Sequence, residues 1–186
     1  MKGFQREDLW FSLCGLNCGL CPMKLDGRCP GCGGGVGNQS CAIARCSLEH
    51  GGVDYCFQCG DYPCSRYEAF DAFDSFITHQ RRAADVERAQ RIGMDAYRRE
   101  QAEKAFFLRQ LLDSYNDGRR KALFCVSVNL LEPEALRAVM NELSASLSLQ
   151  DQTIKERAVR AANLLHAAAE RQGVALKLRR KPGNSS

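Results

Sequence analysis

The pattern of hydrophobic and polar positions changes after residue 64. Before that point, apolar residues follow no regular period beyond a short run at residues 9–13, and glycine is frequent. After it, apolar residues recur at steps of three and four, which places them on one face of an α-helix. The sequence therefore predicts an irregular N-terminal segment followed by an array of helices.

The first two predicted helices follow the irregular segment directly. Residues 65–79 would form a helix with an aromatic face, and the imidazole of His79 would cap its last turn. The next helical pattern covers residues 83–115 and is expected to break near Gly93, because glycine destabilises a helix interior. The side chains that define the aromatic face are Tyr67, Phe70, Phe73, Phe76 and Ile77.

Three further helices are predicted in the rest of the chain. Residues 122–131 are apolar enough to be buried, and we expect a helix there because an isolated strand would have no partner in a helical array. One amphipathic stripe begins at Pro133 and runs to Leu147, and another covers residues 151–172. A loose tail is expected for residues 181–186.

These patterns predict a mainly α fold with two domains. Residues 1–64 would form a loop-rich module that is stapled by metal and packed on a helical domain of residues 65–186. The chain has 186 residues, the length of one domain or of a small module joined to a larger one. Since the irregular segment has few apolar residues, metal ligation is expected to supply much of its folding free energy.

Cysteine spacing is the strongest chemical signal in the chain, because ten of the eleven cysteines fall in the irregular segment. Three gaps are C-x-x-C, a spacing at which two thiolates bind one tetrahedral metal ion. Two of these pairs are followed by glycine, and a tight turn there lets backbone N–H groups point at the sulfurs. The candidate metal ligands are Cys14, Cys18, Cys21, Cys29, Cys32, Cys41, Cys46, Cys56, Cys59 and Cys64. The remaining one, Cys125, is expected to be an inert core residue.

The rest of the composition suggests the compartment. The first ten residues lack the apolar core of a secretory signal, and no apolar run is long enough to cross a bilayer. We therefore expect a cytoplasmic protein that does not enter the membrane. In a reducing compartment, a cysteine-dense segment indicates metal binding or redox chemistry in preference to disulfides.

The number of ligands leaves the arrangement of metals open. Ten cysteines would serve two four-cysteine zinc sites with two thiols left over, or a six-cysteine cluster of two zinc ions plus a four-cysteine site. We expect two or more Zn²⁺ ions as cofactors. The one histidine of the segment, His50, is expected to be a solvated loop residue, because no Cys-x-x-His spacing surrounds it.

Iron–sulfur and redox chemistry form the alternative. The spacing of Cys14, Cys18 and Cys21 matches the one by which radical S-adenosylmethionine enzymes hold a cluster, but the chain lacks the strand–helix alternation of their barrel. An iron–sulfur cluster without that chemistry stays open, since thiolates bind either metal. A redox dithiol at Cys56 and Cys59 is less favoured, because further cysteines lie close on both sides of the pair.

Four motifs carry a resemblance to a known family. They are CGLNCGLCP at 14–22, DGRCPGC at 26–32, CAIARC at 41–46 and GVDYCFQCGDYPC at 52–64. Together they resemble domain-of-unknown-function family 3795, a cysteine-rich bacterial and archaeal family. The resemblance covers about fifty residues and implies that all ten cysteines belong to a ligand set. It implies no reaction, because that family has no established activity.

Two functional hypotheses follow. The first is a non-catalytic zinc protein that presents a surface to a protein partner, and the second is an iron–sulfur or thiol-redox protein or enzyme. No nucleophile–base pair or carboxylate dyad is recognisable by spacing, so catalysis is not expected. Nucleic acid is not expected as a partner, because the basic runs at 119–121 and 177–181 carry no interleaved aromatic residues.

Overall fold

The computed structural model describes residues 3–35, 41–145 and 152–181. Within these ranges the fold is mainly helical and no residue is in a β-strand, which confirms the predicted fold class and the loop-rich N-terminal region. The α-helices are α1 (Pro22–Leu25), α2 (Ala42–Glu49), α3 (Arg82–Ile92), α4 (Met94–Ser114), α5 (Lys121–Leu130), α6 (Pro133–Ser144) and α7 (Ile154–Arg171). None of the helices in these ranges combines the length and apolar character needed to span a membrane.

The chain divides into two compact units, and the first holds the cysteine-rich segment. This unit contains the described residues up to Tyr97 together with those from Leu178 onward, and the second unit is Arg98–Lys177. The division differs from the boundary expected after Cys64, because α3 packs with the cysteine-rich segment. One cluster of buried side chains combines both parts and consists of Phe11, Tyr55, Val86, Ala89 and Tyr97.

A second cluster of the first unit lies within the cysteine-rich segment itself. Its buried members are Phe4, Leu13, Ile43 and Ala44, and Cys14, Cys32 and Cys56 pack against it. The segment thus contributes more apolar side chains to a core than its composition led us to expect. Burial of this kind stabilises the backbone around the cysteines independently of any metal.

The predicted aromatic helix at 65–79 is wrong. A single 3-10 turn covers Ser65–Tyr67, and turns and bends follow as far as residue 81. The Asp74 carboxylate accepts hydrogen bonds from the backbone N–H groups of His79 and Arg179, an alternative to helical hydrogen bonding that short polar side chains offer. His79 is therefore not a helix cap, and its buried ring instead donates from Nδ1 to the Phe70 carbonyl.

The remaining helix predictions are confirmed where the structure describes them. The long helical pattern breaks at Gly93, whose φ of 80° ends α3 one residue before α4 begins. The helix predicted at 122–131 is present as α5, which covers Lys121–Leu130, with Cys125 only 2% exposed. In the second unit, α5 and α6 each contact α7. Leu147, residue 151 and most of the predicted tail lie outside the described residues.

Candidate metal centre

All ten candidate ligands lie in the first unit, and each is a free thiol. Cys21 is buried, Cys41 is exposed and the other eight are partly buried. Nine of them fall into two neighbourhoods, and the tenth, Cys41, lies close enough to Cys14 and Cys32 to raise the pKa of both. The first includes Cys14, Cys18, Cys21, Cys29 and Cys32, and the second includes Cys46, Cys56, Cys59 and Cys64.

The loop from Ser12 to Cys18 carries the first neighbourhood. The Ser12 hydroxyl accepts a 2.7 Å hydrogen bond from the Leu16 backbone N–H and lies 3.2 Å from the Cys14 sulfur. Gly15 has a φ of 94°, and a Cβ atom added there would lie 2.4 Å from Cγ2 of Val86. Glycine is therefore required at this position both for its backbone conformation and for the close approach to α3.

Crowding opposes ionisation of these thiols in the metal-free protein. Burial raises the pKa of Cys14 to about 12, with further increases from Cys32, Cys41 and Cys56 and an opposing effect from the Ser12 hydroxyl. Burial also raises the pKa of Cys18, and the neighbouring thiols Cys14, Cys32, Cys21 and Cys29 add to the rise. A divalent cation among these sulfurs would lower the thiol pKa values instead, because it stabilises the thiolate form.

Fixed hydrogen-bond donors and the cationic side chains of Arg6 and Lys24 surround the same sulfurs. The backbone N–H groups of Met23 and Lys24 point at the Cys21 sulfur, and their effect on its pKa is opposite to that of burial, which is larger. Arg6 has the same opposing effect on the pKa of Cys32, which burial raises. The Arg6 guanidinium is held in place by hydrogen bonds to the carbonyl oxygens of Asp54 and Phe11 at 2.9 and 3.0 Å. Donors of this type stabilise thiolate ligands.

The second neighbourhood surrounds a small pocket. Its volume is about 30 Å³, room for a single ion or water molecule, and its lining includes Cys46, Cys56, Cys59, Cys64 and His50. Cys46 comes from α2, whereas Cys56 and Cys59 bracket a 3-10 turn at Cys56–Gln58. The backbone N–H of Cys56 donates to the Leu13 carbonyl at 2.9 Å, which ties this turn to the loop of the first neighbourhood.

One polar atom in the lining of this pocket is suited to a thiolate. The Tyr67 hydroxyl is buried and makes no hydrogen bond to nitrogen or oxygen among the described residues, and the group beside it is the Cys56 thiol. Burial raises the pKa of Cys56 to about 11, and the hydrogen bond with the Tyr67 hydroxyl opposes this rise. That hydroxyl would donate a stronger hydrogen bond once the thiol became a metal-bound thiolate. The residues of the pocket therefore fit a metal ion.

His50 is exposed in a turn, as expected for a solvated loop residue, but it also makes specific contacts. It follows α2 directly, and its Nδ1 donates a 2.8 Å hydrogen bond to the Cys46 carbonyl. Its Nε2 lies 3.5 Å from Oδ2 of Asp61, and one donor atom each from His50, Cys59 and Asp61 lie within 4.8 Å of one another. A search for Cys-x-x-His spacing does not find these contacts. The sequence signal for them is the helical spacing of Cys46 and His50, which are four residues apart.

No four-cysteine site is assembled in the part of the chain that the structure describes. In those ranges one donor atom each from His50, Cys59 and Asp61 lie within 4.8 Å of one another, and no three cysteine sulfurs lie that close together. Sulfurs that share a tetrahedral zinc ion lie about 3.8 Å apart, as a Zn–S bond of about 2.3 Å requires. Cysteine side chains would therefore have to converge on binding, and which of them share a metal stays a prediction.

Comparisons of the chain with protein-family models, with curated proteins and with solved structures find no match. The resemblance to domain-of-unknown-function family 3795 consequently rests on the four cysteine motifs alone.

Proposed function

We propose that the protein binds zinc through the cysteines of residues 14–64 and that these sites are structural. The observation that carries the proposal is the small pocket lined by Cys46, Cys56, Cys59 and Cys64. Four thiols around a space of about 30 Å³ provide the donor type and number that a structural zinc site uses. The buried Tyr67 hydroxyl beside Cys56 adds a donor that a thiolate would satisfy.

The burial of Cys14 and Cys56 argues against a reactive cysteine at these two positions. A nucleophilic or redox-active cysteine needs a pKa below its ordinary value. Burial raises the pKa of Cys14 to about 12 and that of Cys56 to about 11, so both remain protonated and unreactive without a cation. Zinc binding would displace those protons.

We further propose a protein partner, with the protein located in the cytoplasm. Three large apolar side chains of the cysteine-rich segment, Trp10, Leu25 and Leu48, are between 43% and 48% exposed. Trp10 also packs closely over Gly19, where a Cβ atom would lie 2.2 Å from the indole ring, so the exposed ring has a defined position. Rigid, partly exposed aromatic residues are common anchors in protein interfaces.

Metal analysis of the purified protein tests the proposal. Protein prepared under reducing conditions without added metal should carry about two zinc ions per chain, or three if a cluster forms. The solution should be colourless. A brown solution with iron and sulfide would support the iron–sulfur alternative, and less than one metal ion per chain would contradict both.

A further inference from the structure

The three side chains around Cys59 differ from the other cysteine neighbours in their chemistry. His50, Cys59 and Asp61 offer one nitrogen, one sulfur and one oxygen within 4.8 Å of one another. Nitrogen, thiolate sulfur and carboxylate oxygen are the three donor types that proteins use for zinc. They come from two separate parts of the chain, the end of α2 and the loop after the 3-10 turn at Cys56–Gln58.

The orientation of His50 suits a metal ligand. Its Nδ1–H is engaged by the Cys46 carbonyl at 2.8 Å, which in a neutral imidazole leaves the lone pair on Nε2. That nitrogen is the one that faces Asp61, at 3.5 Å from Oδ2. A backbone carbonyl that holds one ring nitrogen while the other faces the ion is the usual arrangement around metal-bound histidine.

Solvent access separates the two triad members that are not cysteines from the thiols around them. The Asp61 side chain is 73% exposed and that of His50 is 41% exposed, whereas Cys59, like Cys56 and Cys64, is partly buried. Structural zinc sites are closed by four protein ligands, whereas catalytic sites have three and leave one position to water. Three donors, two of them exposed to solvent, match the second type.

We propose that His50, Cys59 and Asp61 form an open site for one divalent cation of the zinc type, with water in the fourth position. This inference rests on the proposed function, since it assigns one of the metal ions that the cysteine-rich segment binds. It assigns Cys59 to this open site, so that Cys46, Cys56 and Cys64 are the pocket thiols left for a closed site, which would need its fourth ligand from another cysteine of the segment. It also adds two ligands that are not cysteines. The mixed donor set suits zinc and other borderline divalent cations, and it does not suit an iron–sulfur cluster, which cysteine thiolates hold.

An ion pair is the competing explanation for the same geometry. A protonated His50 would attract Asp61 at 3.5 Å, and an exposed pair of this kind contributes little to stability. Such a pair would not involve Cys59, and zinc would then bind equally well to variants that lack His50 or Asp61. Zinc binding by variants therefore separates the two explanations.

The experiment titrates the reduced, metal-depleted protein with Zn²⁺ in competition with a chromophoric chelator. His50→Gln and Asp61→Asn should each lower the affinity for one zinc ion per chain by at least about tenfold. The double variant should no longer bind that ion. The controls are His166→Gln, an exposed histidine of α7, and Asp54→Asn, an exposed aspartate of the same loop region. Both controls should bind zinc like the wild-type protein.

Cadmium-113 nuclear magnetic resonance of the wild-type protein supplies a second measurement that does not depend on the folding of variants. One bound cadmium should resonate upfield of the all-thiolate region, because nitrogen and oxygen ligands shift the resonance in that direction. Unchanged zinc affinity in the double variant, or cadmium resonances confined to the all-thiolate region, would overturn the inference and leave the proposed zinc binding intact. A wild-type protein that binds no zinc at all would refute the proposed function itself.

Discussion

The Tyr97 hydroxyl donates a 3.0 Å hydrogen bond to Oδ1 of Asn17, a residue 80 positions earlier in the chain. The other end of the Asn17 amide donates to Oδ2 of Asp85 at 2.9 Å. Asn17 and Tyr97 are both almost completely buried. The loop between Cys14 and Cys18 is thereby joined to α3 and to the first turn of α4, so protein contacts hold it in place independently of any metal.

Replacement of Asn17 tests this connection. Asn17→Ala should lower the free energy of unfolding of the zinc-loaded protein by about 2 kcal/mol, because buried Asp85 and Tyr97 each lose a hydrogen-bond partner. Gln90→Ala, an exposed polar residue of α3, is the control and should change it by less than about 0.5 kcal/mol. Urea unfolding measures both, and equal stabilities would show that the buried network contributes nothing.

Two glycine substitutions separate backbone strain from steric conflict. Gly51 has a φ of 81° with open space around it, so Gly51→Ala should cost about 1 kcal/mol from its left-handed backbone alone. Gly15→Ala should carry the same backbone cost plus about 1 to 3 kcal/mol more, since the new methyl group would lie 2.4 Å from Val86 Cγ2. Denaturation curves for both variants give the comparison, and a Gly15→Ala cost no larger than that of Gly51→Ala would contradict the close packing.

The sequence predicted the second unit well because α4, α6 and α7 are amphipathic over more than ten residues, whereas α5 is apolar along its length and was predicted from that character. A pattern of that length leaves few alternatives, and Gly93 marked a helix break by a local backbone property. The aromatic pattern at 65–79 failed for a physical reason. Asp74 binds the backbone N–H groups of His79 and Arg179, and the second of these lies 105 residues away, so no local pattern could reveal it.

The candidate site was predictable as a list of cysteines and not as a geometry. Spacing identifies thiols that can meet, but burial and the crossing of separate loops decide which of them do. His50 illustrates the limit, because its proximity to Asp61 depends on how the loop after Cys59 returns towards the end of α2. The sequence distance between His50 and Asp61 carries no such information.

Loss of one pocket thiol should affect metal content more than loss of the core thiol. Cys56→Ser should reduce bound zinc by about one ion per chain and destabilise the first unit, since a lost ligand removes folding free energy. Cys125→Ser places a hydroxyl in the core at a position 2% exposed and should cost about 1 to 3 kcal/mol with unchanged zinc content. Metal analysis together with thermal unfolding distinguishes them, and equal zinc content would exclude Cys56 as a ligand.

The raised thiol pKa values predict an alkaline weakness of the metal-free protein. Against an ordinary value of 9.0, burial raises the pKa of Cys14 to about 12 and that of Cys56 to about 11. Between those values the folded protein binds more protons than the unfolded chain, so the free energy of unfolding falls as pH rises. Below pH 9 the two states bind equal numbers of these protons, so these two thiols no longer make the free energy of unfolding depend on pH.

Unfolding of the reduced, metal-free protein by urea at about pH 8 and about pH 10.5 would measure this loss. A double variant with Cys14→Ser and Cys56→Ser should show a smaller difference between the two pH values. Stability that is unchanged or higher at the alkaline pH in the wild-type protein would contradict the burial of these thiols.

Metal removal should affect the two units differently. The cysteine-rich segment shares a core with α3 through Phe11, Tyr55 and Val86, whereas α5, α6 and α7 make their own contacts in the second unit. Chelation under reducing conditions should therefore increase amide hydrogen exchange in residues 12–64 and, to a smaller degree, in α3. Amides of α5 to α7 should stay protected, because their apolar faces need no metal.

Hydrogen-exchange mass spectrometry resolves these segments. The double variant with His50→Gln and Asp61→Asn provides a comparison in which one metal ion is lost and the others stay bound. That variant should raise exchange around residues 46–61 only, since the closed thiolate sites would remain loaded. Loss of protection in α7 on chelation would mean that the second unit depends on the metal, which would refute the independence of its core.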